Sequence, residues 1–124
     1  MVLMATHDPD EYLDGLAVRG FADAGELWAW MEKHHSSHQG LWVRLQKTKS
    51  PIPSVSFHDL LEAGIAFGWS ESTRRAGDAL SYLQRFTPRR GKGTTSERNR
   101  RIASQLEADG RMTAAGRRAL GLPA

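Results

Sequence analysis

Apolar residues recur at helical spacing in some stretches of this chain and alternate with polar ones in others. Leu27, Trp30 and Met31 share one helical face, and Asp23 precedes them with Glu26 three positions later, the spacing of a capping box. A helix is predicted over 23–36, with Trp28 off its buried stripe. It ends before Gly40, a residue suited to the position past a helix. Residues 41–48 predict a strand, with Leu41, Val43 and Leu45 on one face and Trp42, Arg44 and Gln46 on the other. Pro51 and Pro53 mark a loop. Ser56 caps a second helix over 56–67, apolar on a broad face and ended by Gly68.

Farther along, Trp69 to Glu71 leave in extended form and Thr73 to Gly77 read as a basic turn. Leu80 to Thr87 alternate as a strand, which Pro88 ends. Thr94 with Glu97 repeats the capping-box spacing, and a helix is expected from there to about Asp109, with Ile102 and Leu106 inward. Thr113 caps a last short helix through Leu120. Leu16 to Arg19 suggest a short strand inside an otherwise loose acidic segment, 1–20. The fold class expected is α+β. A small, mostly antiparallel sheet packs against helices, a C-terminal helical pair completes it, and one domain spans 21–124.

The length of 124 residues suits one domain with a core of its own. The chain has no cysteine, which removes disulfides and thiolate metal sites and fits a reducing compartment. Its opening lacks the pattern of a secretory leader and no window is apolar enough for a membrane span, so a cytoplasmic location is expected. The charge is unevenly distributed along the chain. Residues 1–73 hold five Lys/Arg and ten Asp/Glu, a balance of −5, whereas residues 74–124 hold twelve and four, a balance of +8. Such polarity implies an anionic partner for the second half or attraction between the halves.

The candidate chemistry lies between residues 66 and 99. A Walker loop would need Gly at position 86 and Ser or Thr after Lys92, but Phe86 and Gly93 stand there. Gly91 and Gly93 nonetheless allow close backbone approach, and the first amides of the following helix lack internal partners. Arg85, Arg89, Arg90, Lys92 and Arg98 are the candidate anion ligands. Trp69 and Tyr82 would shape the pocket, and Glu71 and Asp78 would orient the arginines through ion pairs. Used instead as an acid–base pair, Glu71 and Asp78 would make the site an enzyme acting on an anionic substrate. Rings of Trp69, Tyr82 and Phe86 among arginines also suit single-stranded nucleic acid. Gly68 to Ser72 lacks the final Gly of a nucleophile elbow. His34 and His38 have the spacing of a metal pair, but with no complete ligand set capping or exposure explains them better. No catalytic residue, metal or cofactor is assigned.

From Phe21 onward the chain resembles the YdeI/OmpD-associated family. The matching segments are Glu26–Trp30, Gly40–Trp42, Ser54–Phe57, Phe67–Trp69, Asp78, Tyr82, Arg85–Arg90, Asn99, Leu106 and Gly110–Gly116. Ser70 and Glu71 stand where that family has Ile-Asp, and Thr95 where it has Trp. The resemblance implies a role connected with bacteriocin protection and an outer-membrane porin, and no established reaction. Together with the basic span it leads to the expectation of a non-enzymatic stress or bacteriocin-tolerance protein with an anion-binding face.

Overall fold

The computed structural model describes residues 11–90 and 96–123. Nine elements follow one another in the order β1 (Tyr12–Leu13), β2 (Leu16–Gly20), α1 (Ala24–His34), β3 (Leu41–Gln46), α2 (Phe57–Phe67), β4 (Trp69–Ala76), β5 (Ser81–Pro88), α3 (Glu97–Ala108) and α4 (Ala114–Leu120). The strands form one sheet in the order β1-β2-β3-β5-β4. Strands β2 and β3 pair in parallel, with α1 as their crossover, and every other pairing is antiparallel. The architecture is α+β, with a mostly antiparallel sheet and the α3–α4 pair at the C-terminal end.

Local chemistry accounts for most boundaries. The Asp23 carboxylate accepts the Glu26 amide at 2.9 Å, and Glu26 reaches back to the amide of Ala22, one residue before the cap. Helix α1 ends at His34, short of the expected 36. Ser56 and Asp59 form a reciprocal capping box on α2, and Gly68 closes that helix at φ 82°. Helix α3 is capped by Ser96, whose Oγ accepts the Asn99 amide, and begins at Glu97. The expected cap Thr94 lies outside the described residues, as do Gly91, Lys92 and Gly93.

Two expectations are corrected. Thr73 to Ala76 belong to a strand: β4 runs through to Ala76 and pairs with β5 across a bulge between Glu71 and Arg74. A charged, bulged strand suits a sheet edge, where such features discourage pairing with another chain. The expected loose segment 1–20 contains, from Tyr12, a hairpin that adds two strands to the sheet. Asp14 (φ 51°) and Gly15 (φ 81°) make its two-residue turn.

Both faces of the sheet carry buried apolar residues. Leu41, Val43, Leu45, Phe86 and Trp69 pack against Leu27 and Met31 of α1 and the broad apolar face of α2. On the opposite face Leu16, Val18, Trp42 and Leu83 form a second, smaller cluster. Helix α2 approaches the sheet closely because residue 64 is Gly: a Cβ there would lie 2.8 Å from the Trp69 carbonyl oxygen and 3.0 Å from the Phe86 ring. Among the described residues no helix is long and apolar enough to cross a membrane.

Candidate anion-binding site

The end of α2, the start of β4, the end of β5 and the start of α3 meet at one corner of the helix-covered face. The Gly68 carbonyl accepts the Arg89 amide at 2.9 Å, holding the chain just past β5 against the end of α2. Glu71 lies opposite Phe86 in the β4–β5 register and so shares its face. Arg98, in the first turn of α3, places Nη2 at 3.5 Å from Glu71 Oε2. Its Nε and Nη2 also donate to Asn99 Oδ1 at 3.1 and 3.0 Å. Asn99 is buried. Arg89 is half-buried beside them, and its Nε is buried with no hydrogen-bond partner among the described residues. Burial pushes the Arg89 guanidinium below the usual arginine range; Glu71 opposes that shift and Arg98 adds to it.

The corner therefore gathers two guanidinium groups, one carboxylate and the N-terminus of a helix, whose first amides have no intrahelical acceptor. Its balance is one positive charge, and one buried donor lacks an acceptor. Such a group can take an oxyanion, with charge-assisted hydrogen bonds from Arg89 and Arg98.

The other expected ligands lie elsewhere. Arg85 pairs in register with Trp42 on the opposite face of the sheet, its guanidinium carbon 5.8 Å from the Trp42 ring centroid. Strand alternation is the reason: Arg85 and Phe86 must point to opposite faces. Arg90 is exposed, and Lys92 lies outside the described residues. Trp69 is a core residue, fully buried, with its indole N–H donated to the His35 carbonyl at 3.1 Å. Tyr82 lies beneath the Arg74 guanidinium, 4.2 Å from ring centroid to carbon. Asp78 fastens the β4–β5 turn, accepting Ser81 Oγ at 2.8 Å and the Leu80 amide at 2.9 Å. Those two bonds, Ser81's first, hold its carboxyl below the usual carboxylate range. Glu71 and Asp78 are seven residues apart along an extended strand and turn, on the order of 20 Å, so they do not form a carboxylate pair.

The charge asymmetry is partly neutralised inside the fold. Arg75–Asp14 (3.0 Å), Arg98–Glu71 (3.5 Å) and Arg111–Glu62 (3.7 Å) each join the basic half of the chain to the acidic half. The aromatic platform expected for nucleic acid is absorbed as well, since Trp69 and Phe86 are in the core. His34 and His38 stack around Trp30, with ring centroids 4.7 and 4.9 Å from its own. Among the described residues no group of three His, Asp or Glu side chains is arranged to hold a metal ion.

Asn99 entered the sequence reading only as part of a resemblance. Its signal was available: it sits on the helical stripe continued by Ala103 and Leu106, and a polar residue on a buried stripe needs a polar partner. A model of a domain of unknown function, DUF8412, matches residues 19–119. The chain belongs to the DUF8412 family. No curated protein and no solved structure matches it. Glu71, Arg89, Arg98 and Asn99 all lie within the DUF8412 unit.

Proposed function

We propose that this DUF8412 domain binds a small oxyanion at the corner formed by Arg89, Arg98 and the start of α3, and acts by binding rather than by turnover. The observation that carries this reading is the buried Arg89 Nε, which has no acceptor among the described residues although a second guanidinium stands beside it. A half-desolvated donor of this kind gains most from an acceptor brought by a ligand. Glu71 holds Arg98 in place and offsets part of the positive charge of the corner. The biological role attached to that binding is cytoplasmic stress or bacteriocin tolerance. It rests on the resemblance to the YdeI/OmpD-associated family alone.

Titration with inorganic phosphate, followed through the backbone amides of Glu97, Arg98 and Asn99, tests the reading. A saturable shift at millimolar phosphate is expected. Arg98→Gln should weaken it about tenfold, the equivalent of ~1.4 kcal/mol. Glu71→Gln should tighten it, because a carboxylate that competes for the same guanidinium groups is removed. Silence of those amides at about 10 mM phosphate, far above the affinity such contacts give, would remove the proposal.

A further inference from the structure

A cavity of about 330 Å3 lies between the N-terminal hairpin and the C-terminal end of α1, and no residue of the Arg89–Arg98 corner lines it. Tyr12, Arg19, Trp30, His34, His38 and Gln39 line it. Its size falls within the ~300–1,000 Å3 span of small-molecule sites. Arg19 is the one permanently charged residue in its wall, and neither Asp nor Glu lines it. Arg19 is partly buried on the helix-covered face of β2, and its guanidinium makes no ion pair or hydrogen bond among the described residues.

Some carbonyls at the end of α1 already have donors: Met31 O accepts His35 N at 2.9 Å, His34 O accepts Ser37 N and His38 N at 3.1 and 3.0 Å, and, past the helix, His35 O accepts Trp69 Nε1. The imidazoles are set as neutral groups. Burial, then Lys33 and Arg19, push His34 below the usual histidine range, and burial, then His34 and Arg19, do the same to His38. The Gly40 amide donates to His38 Nδ1 at 3.1 Å, so the neutral ring carries its proton on Nε2 and is a donor there. The same bond occupies the Nδ1 lone pair, which opposes metal ligation through that atom. The cavity wall thus offers one guanidinium, the His38 Nε2–H, the His34 imidazole, the Gln39 amide and the rings of Tyr12 and Trp30, the last already flanked by the two imidazoles.

We propose that this cavity binds a small aromatic carboxylate, its carboxylate held by Arg19 and His38 Nε2–H and its ring placed against Trp30. A single permanent cation matches a monoanion, and the planar guanidinium fork matches a carboxylate. The site is separate from the Arg89–Arg98 corner and does not depend on it.

Benzoate is the probe, titrated into the full chain while the ring signals of His34 and His38 and the indole signal of Trp30 are followed. A saturable response is expected, with acetate binding at least tenfold more weakly because it lacks the ring. Arg19→Gln should weaken benzoate at least tenfold, and Arg19→Lys should recover part of the loss. If Arg19→Gln fails to fold, the acetate comparison and the lysine variant decide. A response that never saturates, equal binding by Arg19→Gln, or acetate as good as benzoate would overturn the assignment. So would zinc perturbing the histidine rings while benzoate leaves them unchanged. Benzoate shifts confined to Glu97–Asn99 would also overturn it, while leaving the Arg89–Arg98 site standing.

Discussion

Replacing Arg89 by Met separates a structural arginine from a ligand-binding one. The Met side chain keeps most of the arginine stem's packing and removes the guanidinium. In the folded protein that group has a buried Nε without an acceptor. A fully buried unsatisfied donor costs ~1–3 kcal/mol, and for a half-buried side chain roughly half of that is recoverable. Against this stands the lost attraction to Glu71, worth at most about 1 kcal/mol for a partly exposed pair. The balance is a change of about −0.5 to +1.5 kcal/mol in stability, or a melting temperature shifted by between about −3 and +7 °C for a chain of this size. Phosphate affinity should fall at least tenfold in the same variant. Urea denaturation supplies the stability and the amide titration supplies the affinity. A stability loss above ~1 kcal/mol, or undiminished phosphate binding, would refute the reasoning, because Arg89 would then be a structural residue whose partner had been overlooked.

Two further outcomes follow from the packing and the titrating groups. Gly116→Ala should destabilise the domain by ~1–3 kcal/mol or more, because the new methyl would run into the carbonyls of Ile65 and Ala66, backbone atoms that cannot rotate away; a melting temperature within about 2 °C of the parent would contradict the close seating of α4 on α2. His34 and His38 titrate below their ordinary range, so the stability tied to their neutral forms is present above the unfolded value of about 6.5 and is lost as pH falls through the lower folded values. The urea midpoint should therefore drop on acidification below about pH 6.5, before the carboxylates titrate, and less steeply in His34→Gln; a flat or rising midpoint over that interval would count against this placement of the rings.

Much of the fold was legible because its strongest local signals agree with one another. Helix α2 combines a Ser56–Asp59 capping box, a dense apolar face and a left-handed Gly68, and the expected span of 56–67 differs from Phe57–Phe67 only by including the cap. Strand β3 was legible from its strand-forming residues rather than from clean alternation, and its expected span of 41–48 ran two residues past the observed Leu41–Gln46. The misses occur where local signals are weak or misleading. Arg74 and Arg75 look like a turn in sequence, yet the edge of a sheet is where charged strand residues belong. Of the N-terminal hairpin, Leu16 to Arg19 were legible as a strand, whereas β1 and the Asp14-Gly15 turn were hidden inside an acidic segment. The site was half legible for a different reason. Arg85, Arg89 and Arg98 are close in sequence, but closeness along a strand says nothing about face. Alternation sends Arg85 over Trp42, while the capping of α3 by Ser96 brings Arg98 to Glu71. Arg19 and Trp30, distant from the basic span, gave no hint that they would meet around a cavity.

Arg89 Nε–H is the donor proposed to take the oxyanion, and the nitrogen-resolved signal of that single group shows whether it does. On titration with inorganic phosphate, the Arg89 Nε–H proton should move downfield and saturate together with the Glu97–Asn99 amides. A proton resonance that stays fixed while the ligand reaches tens of millimolar, in a protein that remains folded, would contradict the account.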